Sequence, residues 1–159
     1  MALDPRRALL IATLAVTVIA PWEGLWTTAK IDRIGTGQPV TACYGMTRAE
    51  KPDLRVGDKF TPEQCMEYLV KAIPHYRKPL EKCVKVEITN HQWAALTSAS
   101  YNAGPGAVCK SPMVKHFNAG NPRAACEAFK TWYIRARGVV VKGLINRRAA
   151  ESKFCYTKD

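Results

Sequence analysis

Three residues near the N-terminus combine side-chain types and an order suited to acid–base chemistry. Glu23 lies just after an apolar run that ends at Ala20, with Trp22 before it and Gly24-Leu25-Trp26 behind. A carboxyl set against aromatic and aliphatic surface has its charged form disfavoured, which is how a general acid is kept protonated. Eight residues separate Glu23 from Asp32, and eight more separate Asp32 from Thr41. On neighbouring strands, the Thr41 hydroxyl can hold a water beside the Asp32 carboxylate. Two carboxyls across a cleft, one protonated and one ionised, are what glycosidic bond hydrolysis requires. Spacing alone equally allows Glu23 to mark a helix end and Asp32 to cap a turn. His75, His91 and His116 fit no metal spacing and read as surface residues.

The elements that must position these residues punctuate themselves clearly. Thr61-Pro62-Glu63-Gln64 is a capping box with proline at the first helical position, ahead of Met66, Leu69, Val70 and Ile73 at helical spacing. Thr89-Asn90-His91-Gln92 repeats the pattern before Trp93, Leu96 and Ala99, and the stretch ends at Asn102-Ala103-Gly104, where glycine can take the left-handed exit. Ser111-Pro112 and Asn121-Pro122 each supply a cap and an N1 proline. The Asn121 helix is expected to place Ala125, Cys126, Phe129, Trp132 and Tyr133 on one side, and a last helix to run from about Leu144 to Cys155. Strand-like sequence is confined to Ala29 through Thr47, broken by Gly35, Gly37, Pro39 and Gly45. The expected class is α+β: mostly helical, with a small antiparallel β-hairpin region near the N-terminus.

Length and charge bound the rest. A chain of 159 residues, 47% hydrophobic, is one ordinary domain with enough apolar material for a core. No repeat appears at solenoid periods. The net charge is +11, and from Ala107 onward eleven Lys or Arg face only Glu127, Glu151 and Asp159, which suits a polyanionic partner. Arg6 and Arg7 precede thirteen uncharged residues, Ala8 to Ala20, diluted by Ala12, Thr13, Ala15 and Thr17. That run is short for a span of about 20 apolar residues, so residues 1–20 read as a weak, uncleaved signal anchor and 21–159 as the folded domain. The alternative is an apolar first helix of a cytosolic core. Six cysteines, Cys43, Cys65, Cys83, Cys109, Cys126 and Cys155, stand too far apart in sequence for a zinc ribbon or a C-x-x-C pair. An export segment and an even count favour disulfides in an oxidising compartment over buried free thiols.

Trp22-Glu23-Gly24-Leu25, then Asp32, then Thr41-Ala42-Cys43-Tyr44-Gly45-Met46-Thr47 resembles the active-site block of phage-type lysozymes, glycoside hydrolase family 24. The likeness continues through Phe60 to Cys65, Ala94 to Gly106, Phe117 to Asn121 and Gly143 to Glu151. Within that family the chain is most similar to endolysins with a signal-arrest-release anchor. It departs from the pattern in a longer Asp-to-Thr separation, read as an enlarged Gly35-Thr36-Gly37-Gln38-Pro39 loop, and in Lys30 and Met46.

The resemblance implies a lysozyme-like fold and a muramidase that hydrolyses the β-1,4 bond between N-acetylmuramic acid and N-acetylglucosamine in peptidoglycan, by inversion, for host lysis. Glu23, Asp32 and Thr41 would be catalytic. Tyr101, Asn102 and Ser111 would line or support the cleft, and Arg148 would support Glu23, with Arg147 facing solvent and pairing with Glu151. A lytic transglycosylase, or a basic wall-binding protein without catalysis, remains the alternative. Peptidoglycan is the implied partner, with the inner membrane before release, no nucleic acid, no cofactor or metal, and a monomeric state. The chain would be exported to the periplasmic side of the inner membrane and then released into the periplasm. No cysteine lies within the apolar run, so release is expected to be topological rather than by thiol exchange. Of fifteen possible pairings, neighbouring elements favour Cys43 with Cys65, Cys126 with Cys155, and Cys83 with Cys109.

Overall fold

The computed structural model describes residues 2–159; Met1, at the head of the expected anchor, lies outside the described residues. The chain forms two compact units, one of Ala20–Ala72 and one of Met1–Ile19 with Ile73–Asp159.

The smaller unit is built on an antiparallel hairpin of β1 (Trp26–Ile31) and β2 (Val40–Cys43). The pairing starts three residues before the stretch marked by β-branched residues. Trp26 faces Cys43 and Lys30 faces Thr41, so β1 carries extra residues between two closing pairs. Such a bulge bends a strand and increases its twist. The free edge of β1 is covered by residues 57–60: Ala29 N–H donates to Asp58 O at 2.8 Å, and Phe60 N–H donates to Thr27 O at 2.8 Å. The chain then enters α2 (Pro62–Arg77) through the expected capping box, Gln64 N–H donating to Thr61 Oγ1 (3.1 Å) and Thr61 N–H to Gln64 Oε1 (2.9 Å). Its buried stripe is Cys65, Leu69, Ala72 and Ile73, rotated from the expected one, because the Cys43–Cys65 disulfide turns Cys65 inward. Ala29, Ala42, Cys43, Met46, Leu54 and Cys65 form this unit's core.

In the larger unit α1 (Pro5–Ile19) packs on α3 (Asn90–Ala103), which also carries α7 (Lys142–Tyr156). Between these lie the short helices α4 (Pro105–Cys109), α5 (Pro112–Asn118) and α6 (Pro122–Ala128). The residues that make α1 a weak membrane helix have places in this packing. Ala12 and Ala15 are buried beside Ile11, Val16 and Ile19, whereas Thr13 and Thr17 face outward with hydroxyls returned to Leu9 O and Leu14 O. Asp4 caps the helix by accepting from Arg6 N–H and Arg7 N–H. The Arg7 guanidinium then holds the start of α3, donating to Asn90 Oδ1 (2.8 Å), Glu87 Oε2 (3.0 Å) and Ile88 O (2.5 Å). No helix among the described residues is long and apolar enough to cross a membrane.

Several local expectations change. Thr89 caps α3 with a full capping box and Ser111 caps α5, but Asn121 makes no side-chain cap bond to α6. α6 stops at Ala128 and a 3-10 turn takes over at Phe129–Thr131; Phe129 is buried while Tyr133, at φ 50°, is 47% exposed. Strand is not confined to the N-terminal region, because β3 (Arg135–Ala136) and β4 (Val139–Val140) form a second small hairpin. His91 and His116 are half-buried rather than on the surface, His91 with Nδ1 2.8 Å from Asp159 Oδ1; His75 is exposed. Three disulfides, Cys43–Cys65, Cys83–Cys109 and Cys126–Cys155, join neighbouring elements, and no free cysteine remains among the described residues.

Candidate active site

The smaller unit contains Glu23, Asp32 and Thr41. Glu23 ends the 3-10 turn Ala20–Trp22, its N–H donating to Ala20 O at 3.3 Å. It does mark a helical end, and its side chain is half-buried. Of its aromatic and aliphatic sequence neighbours, Trp22 (38%) and Leu25 (41%) are exposed and Trp26 is half-buried.

Asp32 follows β1 directly. Its N–H donates to Pro39 O (2.8 Å), while its Oδ1 accepts from the N–H groups of Ile34 and Gly35, each at 3.0 Å. The carboxylate therefore caps the turn, and this same pair of bonds fixes its orientation and leaves Oδ2 outside the turn's hydrogen bonding. A Cβ on Gly35 would stand 2.8 Å from that Oδ2 and 3.2 Å from Pro39 Cδ, so a larger residue there would displace the Asp32 carboxylate. The enlarged loop is absorbed by successive turns through Gly37 (φ 78°) and Gln38 (φ 46°), with both strands in place.

Register does what spacing alone could not. Thr41 lies opposite Lys30, and Asp32 is two residues beyond Lys30 and bonded to Pro39. Asp32 and Thr41 are thus diagonal neighbours on one face of the hairpin, a relation that spans about 7–8 Å between Cα atoms. Thr41 is buried, with its Oγ1 3.4 Å from Pro39 O. Lys30, one of the departures from the family pattern, lies with its Nζ 3.6 Å from the Trp26 ring centroid.

The larger unit contains the other expected residues. Tyr101 packs its ring 4.7 Å from that of Tyr76, and Asn102 Oδ1 accepts from Arg148 Nη2 at 2.9 Å. Ser111 is buried and its hydroxyl accepts from Val114 N–H, so its visible work is capping α5. Arg148 points inward, fully buried, as helical spacing with Cys155 implies. Arg147 does not face solvent: it is 4% exposed and donates to Glu151 Oε1 (3.2 Å) and Ser98 O (3.2 Å). Glu151, wholly buried, also accepts from Ser98 Oγ (2.7 Å) and Arg148 Nη2 (3.1 Å). Burial pushes the Glu151 carboxyl up from its ordinary value, opposed by Arg148, Ser98 and Arg147, and burial lowers Arg148 in turn. This cluster escapes sequence reading because an Arg-Arg pair one turn from a Glu looks like a solvated helix face. The only local hint is the run of small residues on α3, Ala94, Ala95, Ser98 and Ala99, which lets another helix approach closely. No group of three metal-ligating side chains occurs among the described residues.

The phage lysozyme family model matches residues 20–151, from the turn before Glu23 to Glu151. The chain belongs to the phage lysozyme family. A SAR-endolysin of Pseudomonas phage phiKMV is 39% identical over 154 residues, 94% of this chain and 89% of that relative. The endolysin from Escherichia coli O157:H7 phage FAHEc1 superposes with a TM-score of 0.76 at 29% identity, covering 98% of this chain and 94% of its own. A P22 lysozyme variant, at 22% identity, shares the fold with a TM-score of 0.78 over 99% of each chain. As a phage lysozyme, the chain is a glycoside hydrolase and a muramidase that lyses the host cell wall.

Proposed function

We propose that this phage lysozyme cleaves the β-1,4 bond between N-acetylmuramic acid and N-acetylglucosamine with inversion, as a monomer. Glu23 protonates the leaving oxygen, and Asp32 and Thr41 bind and activate a water on the opposite face of the sugar. The observation that carries this reading is the Asp32 turn: a carboxylate held by two backbone N–H groups, on the hairpin face it shares with Thr41. An ionised, oriented base is what an inverting site asks of its second carboxyl. Tyr101, Asn102 and Arg148 act in support. Digestion of purified peptidoglycan tests the chemistry. Newly formed reducing N-acetylmuramic acid ends of inverted anomeric configuration are expected, and anhydro ends would point to a lytic transglycosylase. Thr41→Ala is expected to lower turnover by about 100-fold or more, within the usual range for losing acid–base assistance. Thr41→Ser, which keeps the hydroxyl, should retain part of it; a fully active Thr41→Ala enzyme would remove Thr41 from the site.

The route to the wall follows from α1. Residues 8–20 hold the chain on the periplasmic side of the inner membrane until the helix leaves the lipid and packs as α1. The SAR-endolysin relative and the burial of Ala12 and Ala15 in the packed helix support this. Thr13 and Thr17 allow a clean test, because both are exposed on packed α1. Leu is favoured at a bilayer centre by about 0.3–0.6 kcal/mol per residue. Thr13→Leu with Thr17→Leu should delay lysis in cells and keep the protein in the membrane fraction, while the purified variant digests peptidoglycan at the parental rate. Unchanged lysis timing by a membrane-bound variant would refute the tether.

A further inference from the structure

The β3–β4 hairpin has no part in the chemistry above, yet it is the most exposed stretch of secondary structure in the larger unit. Every residue from Arg135 to Val140 is exposed, Val139 at 66% and Val140 at 42%. Tyr133 at its foot (47%) and Ile145 beyond it (38%) add further apolar surface. Between Glu127 and Glu151 the sequence has no carboxylate. Of the basic residues in that interval, Lys130 pairs with Glu127 while Arg147 and Arg148 are buried with Glu151. Arg135, Arg137 and Lys142 remain in solvent, and no ion pair among the described residues involves them; Arg135 Nη1 lies 3.4 Å from Gly138 O.

The backbone favours the tip position over local comfort. Arg137 (φ 51°) and Gly138 (φ 77°) are the two central residues of the turn, both at positive φ, the arrangement whose twist matches a two-residue hairpin. Asn or Gly is the favoured first residue of such a turn, and arginine is disfavoured there. Register places Val139 beside Ala136 on one face of the ribbon and Val140 beside Arg135 on the other. The hairpin thus has apolar flanks, a cationic tip, and a basic residue at its exit.

We propose that the β3–β4 hairpin is a docking site for an anionic lipid surface. The two valines enter the boundary between headgroups and acyl chains, and the guanidinium groups of Arg135 and Arg137 meet lipid phosphates. The charge complements the lipid phosphates and the exposed valines complement the acyl boundary. A glycan strand or a nucleic acid would satisfy the arginines but leave the valines in water.

The test is co-sedimentation of the purified full chain with vesicles of phosphatidylglycerol and phosphatidylcholine, with phosphatidylcholine vesicles alone as control. Binding that requires phosphatidylglycerol and weakens with salt is expected. Each basic residue at an anionic surface is worth about fivefold in partitioning. Arg135→Gln with Arg137→Gln should therefore lower binding by about thirty-fold, and Val139→Ser with Val140→Ser should also weaken it. Arg137→Gly keeps the turn, because glycine suits its positive φ, and should still lose about fivefold; this separates loss of charge from misfolding. Leu9 and Leu10 are the exposed apolar residues of α1, so Leu9→Ser with Leu10→Ser reports the competing surface. Binding lost in that variant but kept in the hairpin variants would overturn the proposal. So would hairpin variants that lose retention on insoluble peptidoglycan instead of vesicles, or that convert a dimer of the parent chain to monomer.

Discussion

Glu23→Gln yields a protein that folds and melts like its parent and leaves a peptidoglycan suspension turbid. The substitution is nearly isosteric, and the backbone bond that ends the Ala20–Trp22 turn comes from the Glu23 N–H, which glutamine retains. The amide has no acidic proton to give the leaving oxygen. Positioned acids contribute about 10²–10⁴-fold to such steps, so turnover falls by at least that factor. The measurement is loss of turbidity against time for parent and variant at equal concentration, beside thermal unfolding of both. Activity above a tenth of the parent, with folding intact, would show that another group supplies the proton.

Glu151→Ala produces a large loss of stability. Its carboxylate lies between Arg147 and Arg148 in a fully buried position and accepts from Ser98 Oγ. Removing it takes the buried carboxylate away from both guanidinium groups, which stay out of water. Breaking a buried pair in this way costs about 3–5 kcal/mol, or about 6–20 °C in melting temperature for a domain of this size. A Glu151→Ala protein that melts within 2 °C of the parent would mean that water reaches the cluster.

The sequence by itself determined what depends on residues close along the chain. The capping boxes at Thr61 and Thr89 and the cap at Ser111 are contacts between positions three apart, and each forms as read. The order Glu23, Asp32, Thr41 and the residues around it carry the likeness to the phage lysozyme family, whose model matches residues 20–151. Tertiary structure decided what depends on the partner brought opposite. Asp32 and Thr41 share a face only because the β1–β2 register, with its bulge, sets Lys30 across from Thr41. Arg147 is buried because α7 packs on α3 and meets Ser98, 49 residues away in sequence. Asn121 makes no cap bond although it has the right side chain, and β3–β4 pairs two residues with two, too short a run for alternation to be visible. The apolar run from Ala8 to Ala20 is the sharpest case. A bilayer and a protein core are both apolar solvents, so hydrophobicity alone could not choose between them. The choice shown here rests on Ala12 and Ala15 facing inward and on Arg7 holding Glu87, Ile88 and Asn90, contacts that exist only once α3 is folded.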